Sequence, residues 1–343
     1  MTEVIVLGAG VIGLTSALVL SEKGYKVTVI ASNFPTDELT PKYTSPWAGA
    51  HYRPFPSLTE KDFQDSQLTR VTYKYFKYLA LQEPESSIKF IEGIDYVENK
   101  GVYGIKSKGY FEEIEEMREL EDLPDGVSFG ASYKTWVLNS PLYLQYLYRK
   151  LIFKFGVHFI RTEIISLKQI FQNFPKLTVV NASGLGLQYD GGYDSESSPI
   201  RGQTLLVRVP PGCPYLEKTV THQSKDGLWT FVIPRPFGGV ILGGTKQLND
   251  LQSTEREADT KQLIARGQLL FPELFVDGKL DIRNVNVGFR PARKNGVRVE
   301  LERLKEGAII HAYGAGGMGY ELSYGVALKV LDIIEGNSIA SKL

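Results

Sequence analysis

The 343-residue sequence contains one cysteine, Cys213, so no disulfide can form within the chain and no cysteine-based zinc site can be assembled. Its four histidines, His51, His158, His222 and His311, are scattered and fit no metal-ligand spacing. A metal-free protein in a reducing compartment is the expectation. Neither charge is in excess, with 39 Lys plus Arg against 39 Asp plus Glu, so nothing drives the chain toward a polyanion. No apolar run approaches the roughly 20 residues of a membrane span. The amino terminus enters Val4-Ile5-Val6-Leu7 at once, without the basic region of a secretory leader. Neither nucleic acid nor a membrane is expected as a partner.

What remains is an ordinary globular composition, 43% hydrophobic and 23% charged, with enough chain for one large or two modest domains. The sequence ends Ser341-Lys342-Leu343, the tripeptide read by the peroxisomal import receptor. That receptor is an expected partner and the peroxisomal matrix the expected location.

The first thirty residues read as strand, turn, helix and strand. Val4 to Leu7 is a short β-branched run, a helix extends to about Lys23, Gly24 stops it, and Lys26-Val27-Thr28-Val29-Ile30 is the second strand. This is the start of a βαβ unit. Helical spacing covers 58–82, and an acidic segment, 112–121, reads as a solvated helix. Ser140-Pro141 opens another helix, and strands are expected at 158–161 and 176–181. From Arg201 the chain is rich in strand signals, interrupted by a helix at 258–270. Strands at 282–289, 297–301 and 308–311 precede a last helix from about Tyr320. No linker divides the sequence, which favours two interleaved domains over two consecutive ones.

Gly8-x-Gly10-x-x-Gly13 follows a strand and opens a helix, the context a dinucleotide fingerprint needs. Gly8 permits the turn, Gly10 lets pyrophosphate approach the backbone, and Gly13 lets helix and strand pack closely. The helix N-terminus offers free N–H groups and partial positive charge to phosphates. The motif alone does not separate FAD from NAD. The second strand ends Ala31-Ser32-Asn33, without the carboxylate that usually grips a ribose hydroxyl; Ser32, Asn33 or an anchor elsewhere must take that role. A second glycine loop, Gly314-Ala315-Gly316-Gly317-Met318-Gly319, again joins a strand to a helix N-terminus. It lacks the Lys-Ser/Thr of a nucleoside-triphosphate loop, and its alternatives are an anion-facing loop or a simple tight turn.

Ile309-Ile310-His311-Ala312-Tyr313-Gly314-x-Gly316-Gly317-x-Gly319, followed five residues later by Gly325-x-Ala327, resembles the signature of the D-amino-acid oxidase and D-aspartate oxidase family. The similarity covers nearly the whole chain and is closest to the yeast members. Tyr43-Thr44-Ser45-Pro46-Trp47-Ala48-Gly49-Ala50 resembles the family's flavin-contacting loop. Asn181-Ala182-Ser183-Gly184-Leu185-Gly186 and Pro199-Ile200-Arg201-Gly202-Gln203-Thr204 resemble two further cofactor-side segments. Gly288-Phe289-Arg290-Pro291 matches the segment holding the substrate-carboxylate arginine.

The resemblance implies an α/β fold. A Rossmann-like FAD-binding domain (1–50, 140–205 and 291–343) would be interleaved with an α+β substrate domain (51–139 and 206–290) on a mostly antiparallel sheet. It implies non-covalent FAD held by Gly8, Ala9, Gly10, Val11, Ile12, Gly13, Ser32, Thr44, Ser45, Ala48, Gly49, Ala50, Ser183, Gly184, Gly316, Gly317, Met318, Gly319, Tyr320 and Glu321. Arg290 would fork two bonds onto an α-carboxylate, and the Gly317 carbonyl would accept from the amine. No general acid or base is implied, because hydride transfer to the flavin relies on orientation.

Two positions depart from the family pattern. Phe231 stands where yeast members place a carboxylate-binding tyrosine, and Lys246 follows Gly243-Gly244-Thr245 where a second tyrosine is usual. Losing a hydroxyl bond to a charged group costs about 1.5–3 kcal/mol, which Lys246 would offset. A basic residue at this point resembles the D-aspartate oxidases, where it binds a side-chain carboxylate. Arg53 and His51 would add positive potential and Phe55 an apolar wall. Oxidation of D-amino acids to 2-oxo acids, ammonia and hydrogen peroxide is the implied activity, with restriction to acidic D-amino acids as the alternative. A homodimer is left open.

Overall fold

A computed structural model describes residues 2–336; the Ser341-Lys342-Leu343 tripeptide lies outside the described residues. The chain forms two compact units, each assembled from separated segments. One comprises the segments up to Pro46, Leu144–Pro199 and the chain from Arg290 onward; the other comprises Trp47–Tyr143 and Ile200–Phe289. Against the sequence reading, Trp47–Ala50, Ser140–Tyr143 and Ile200–Leu205 fall in the second unit rather than the first, and Arg290 falls in the first rather than the second.

The first unit is built on a six-stranded sheet. Its strands run in the order Arg298–Arg303, Ala308–Tyr313, Thr178–Asn181, Glu3–Leu7, Lys26–Ala31 and His158–Arg161. The last five are mutually parallel, and Arg298–Arg303 closes the edge antiparallel to its neighbour. Val4, Ile5, Val6, Val179, Val180, Ile309 and Ile310 are buried, as expected of parallel strands covered on both faces, whose sequences read as continuous apolar runs. The helix Val11–Glu22 is buried through its first ten residues and packs against the last helix, Gly319–Ile334. Gly24, at φ +84°, ends the first helix in the left-handed conformation that glycine adopts without steric penalty.

The second unit carries a nine-stranded, mostly antiparallel sheet in which Lys89–Val97 runs parallel to Lys218–Gln223. On one face, Leu205, Val207, Val232, Val240 and Leu242 form a core with Leu263 of the helix Glu257–Leu270. Cys213 is buried in the same core, and burial raises its thiol pKa. On the other face, Ile91, Val137, Ile233 and Ile241 cluster with Phe231.

The acidic segment 112–121 is not a helix. It forms turns, with Glu113 and Glu116 at positive φ, and the two-residue strand Arg118–Glu119. Its carboxylates are drawn to separate lysines: Glu113 pairs with Lys74, Glu115 with Lys77 and Glu116 with Lys134. Arg70 donates to the carbonyls of Gly109 and Glu112. Those side-chain donors satisfy backbone groups that a helix would have satisfied internally. A helix was found instead at Leu167–Asn173, too short to show a clear period in the sequence.

A buried ion pair lies within this unit. Arg53 donates from Nε to Asp95 at 2.8 Å, with their side chains 2% and 0% exposed. Tyr110 and Tyr133 also donate to Asp95, at 3.0 and 3.2 Å. Removing one member of a buried pair strands the other charge, at a cost of about 3–5 kcal/mol. Asp95→Ala is therefore expected to destabilise the protein by that amount, read as a lowered midpoint of urea unfolding; a change within about 0.5 kcal/mol, typical of surface positions, would contradict it.

Candidate active site

Three glycine-bearing loops follow three adjacent parallel strands of the first unit: Glu3–Leu7, Thr178–Asn181 and Ala308–Tyr313. Because the strands are parallel, their carboxyl ends share one edge of the sheet. The loops must sit side by side there, where open α/β sheets bind ligands. A Cβ on Gly8 would fall 2.4 Å from the Ala182 carbonyl oxygen, and one on Gly13 would fall 1.9 Å from the Gly8 carbonyl oxygen. Both are excluded contacts, so these backbones touch only because the residues are glycines. The Gly314 N–H donates to the Gly184 carbonyl, joining the second loop to the third.

The segment before residue 46 folds onto the first loop. Tyr43 donates from its hydroxyl to the Ala9 carbonyl at 2.6 Å, and the Val11 N–H donates to Ser45 Oγ at 3.1 Å. Tyr320 donates to the Ser45 carbonyl at 2.9 Å, while a Cβ on Gly319 would lie in ordinary contact with Val11, at 3.5 Å. The first residues of the two helices are thereby brought side by side, and their partial positive charges converge. Gly8, Ala9, Gly10, Val11, Ile12, Gly13, Ser45, Gly319 and Tyr320 are collected at one place. Thr44 is half-buried next to Ser45, and Glu321 is buried in the first turn of the last helix. Ser183 uses its hydroxyl internally, donating to Asn181 Oδ1 and accepting from the Leu187 N–H, each at 2.7 Å. Its backbone is the part that borders Gly8.

Arg290 is half-buried, and burial lowers its pKa, although a guanidinium stays charged in proteins. A Cβ on Gly317 would lie 3.8 Å from Arg290 Cδ. The two segments are tied by the Gly316 N–H donating to the Pro291 carbonyl at 2.8 Å and by a bridge between Ala292 and Ala315. Arg290, Gly316, Gly317 and Met318 therefore belong to one local arrangement.

Within the second unit, the Ala48 carbonyl accepts from Arg235 Nη2 and Ser140 Oγ, at 2.9 and 2.8 Å. A Cβ on Gly49 would collide with Ile233, at 2.7 Å, and the Ala50 carbonyl accepts from the Leu138 N–H. The Phe231 ring lies over Gly243 and Gly244, where added Cβ atoms would come within 2.3 and 3.0 Å of it. The sequence reading gave Arg53 and His51 a shared positive potential. Arg53 is already neutralised by Asp95 and lies against the stacked rings of Phe55 and Trp229, at 4.7 and 4.5 Å. For His51 the expectation is corrected: burial, aided by Arg53, lowers its pKa to about 3, so the ring is neutral, beside Thr219 Oγ1. Lys246 is exposed and has no ion pair or hydrogen bond among the described residues.

A family model described as FAD dependent oxidoreductase matches residues 3–333. The chain belongs to this DAO family. It is 36% identical to a D-aspartate oxidase of Talaromyces thermophilus, over 97% of this chain and 95% of that protein. It is 37% identical to a D-amino-acid oxidase of Schizosaccharomyces pombe, over 95% and 94%. Among solved structures, a glycine oxidase from Bacillus cereus superposes with a TM-score of 0.72 at 17% identity, covering 98% of this chain and 95% of that one.

The cofactor of this DAO-family chain is FAD, and the residues fit it. Gly8, Gly10 and Gly13 carry no side chains at the turn into the first helix, and Ser45 presents a hydroxyl beside Gly10, a lining suited to a diphosphate. Among the described residues no group of three or more His, Cys, Asp or Glu could hold a metal ion. The missing carboxylate after the second strand is not restored by Asp37, whose oxygens accept from the Phe34 N–H and from both terminal nitrogens of Arg161. Ser32 and Asn33 bond to each other at 3.0 Å. Tyr43, which fixes the Ala9 carbonyl, and Ala182, which contacts Gly8, were missed as site residues. Both lie inside segments that resemble those of the family, but only the contacts give them a role. Gly10→Val is expected to crowd Ser45, whose Oγ would already lie 3.1 Å from an added Cβ. Overpacking of about 1–3 kcal/mol should weaken FAD binding roughly tenfold or more. Titration of the apoprotein with FAD checks this, with circular dichroism showing that the fold is retained.

Proposed function

We propose that the chain is an FAD-dependent D-amino-acid oxidase, converting a D-amino acid, oxygen and water to a 2-oxo acid, ammonia and hydrogen peroxide. The observation that carries this reading is the half-buried Arg290 guanidinium packed beside Gly317. Arg290 would give two parallel N–H bonds to the α-carboxylate, a geometry that lysine cannot reproduce. The Gly317 carbonyl would accept from the amine, and the two contacts together fix the plane of the amino acid. Only one enantiomer then presents its α-hydrogen correctly, so selection and rate both come from orientation. FAD, when bound, supplies the two-electron acceptor. No side-chain base is required once the amine is neutral. The named activities of the Talaromyces and Schizosaccharomyces relatives support oxidation of D-amino acids.

A second reading, a D-aspartate oxidase restricted to acidic D-amino acids, is favoured by Lys246. Its ammonium is exposed and makes no ion pair or hydrogen bond among the described residues, and in this reading it would receive the side-chain carboxylate. Phe231 and Phe55 would then supply only apolar surface. Import into the peroxisome through Ser341-Lys342-Leu343 belongs to the same proposal; a fluorescent fusion preserving the tripeptide should be punctate and should become diffuse when it is deleted.

The deciding experiment is a substrate panel with peroxide readout, pairing each D-amino acid with its L-enantiomer. Oxidation of D-enantiomers alone is expected, and oxidation of neither would refute the proposal. A kcat/KM for D-alanine well above that for D-aspartate would remove the second reading. Arg290→Lys should lower kcat/KM roughly tenfold to hundredfold, the equivalent of about 1.5–3 kcal/mol for a bond to a charged group, while the protein retains its flavin absorbance.

A further inference from the structure

The backbone around Lys246 is fastened on both sides. The Gly244 N–H donates to the Trp229 carbonyl at 3.2 Å, and its own carbonyl accepts from Arg266 Nη2 at 3.3 Å. Thr245 donates its N–H to the Gln203 carbonyl and accepts from the Gln203 N–H through Oγ1, at 3.1 and 2.8 Å. Beyond the lysine, Gln247 pairs with Arg201 and Leu248 with Ile200. From 244 to 248, the exposed Lys246 is the residue with no such tie among the described residues.

The ties at Thr245, through Gln203, and at Gln247 lead to Arg201, whose side chain is 0% exposed. Nε donates to the Gln252 carbonyl at 2.8 Å; Nη1 to Gln247 Oε1 at 2.7 Å and Asp259 Oδ2 at 2.9 Å; Nη2 to Gln203 Oε1 and the Thr254 carbonyl, both at 2.8 Å. Five bonds are the full donor complement of a guanidinium. Arg201 was read from sequence as part of a cofactor-side segment, but its donors are consumed by the turn after Lys246, the loop beyond it and the helix Glu257–Leu270. Gln203 extends the network, donating to the Arg256 carbonyl at 3.0 Å and Thr260 Oγ1 at 2.9 Å. For stability alone such a buried charge is a poor device, because apolar residues of similar volume often serve as well or better.

We infer that Arg201 is a positioning residue that sets which substrate side chain the enzyme prefers, by holding the backbone on either side of Lys246. The inference rests on the reading in which Lys246 receives a side-chain carboxylate. Lysine, on its flexible four-carbon stem, carries much rotamer entropy. On a mobile turn its ammonium would be spread over many positions and give little selective attraction. Fixing the base of the side chain removes part of that ordering cost before the substrate arrives.

The test uses the FAD-loaded enzyme and two variants. Arg201→Lys keeps the charge but loses the fork; Gln247→Ala removes one tie and strands no whole charge, which guards against failure of the first to fold. Each is made alone and with Lys246→Met, and kcat and KM are measured for D-aspartate and D-alanine. Trypsin cleavage after Lys246 is followed in the folded single variants. Each single variant is expected to lose at least tenfold more kcat/KM for D-aspartate than for D-alanine, mainly through KM, and cleavage should accelerate. In the Lys246→Met background the selective loss should disappear. Equal losses for the two substrates, or a selective loss that survives Lys246→Met, would overturn the inference. Should Lys246→Met alone leave the ratio of the two substrates unchanged, the carboxylate role of Lys246 fails; Arg201 then keeps its positioning role if cleavage accelerates and loses it if cleavage is unchanged.

Discussion

The first helix crosses the first strand so closely that the Gly8 carbonyl occupies the space a Cβ at residue 13 would need, 1.9 Å away. Gly8 is in turn pressed against Ala182 at the end of the neighbouring strand. This contact of bare backbones fixes where the helix N-terminus lies over the sheet edge. The positions of Ser45, Tyr43 and Tyr320 follow from it, because each bonds to that turn or to a residue that does. A methyl group at either glycine would push the helix outward and separate the two helix N-termini whose combined field suits a diphosphate.

Much of this was legible in the sequence, for a physical reason. The parallel strands are buried on both faces and so appear as unbroken β-branched runs, and the glycines stand at fixed offsets from them. The helices Glu60–Gln82 and Ser140–Phe155 also announced themselves, the first by spacing and the second by its Ser-Pro start. The segment 112–121 was misread because charge density resembles a solvated helix in sequence. Only the fold reveals that its carboxylates each find a different lysine.

Charge pairing was the least legible layer. Arg53 and Asp95 are 42 residues apart, and Arg201 and Asp259 are 58 apart; no local pattern links either pair. The sequence could show that cations cluster near Phe55 and Lys246. It could not show that Arg53 is cancelled by a carboxylate and His51 held neutral, leaving Lys246 as the cation of the three with no ion-pair partner among the described residues. Residue types were readable; which of them retain an available charge depends on contacts distant in the chain.

Under the proposed activity the enzyme would release peroxide and be exposed to its own product, and sulfur is the element most at risk. The one thiol, Cys213, is 5% exposed, and burial disfavours the thiolate that reacts with oxidants. The same placement that fills a core therefore gives the chain chemical durability over many turnovers. Met318 has less shelter. It is half-buried in the glycine loop beside Gly317, so conversion of its thioether to a sulfoxide would put a polar, chiral group at the start of the last helix.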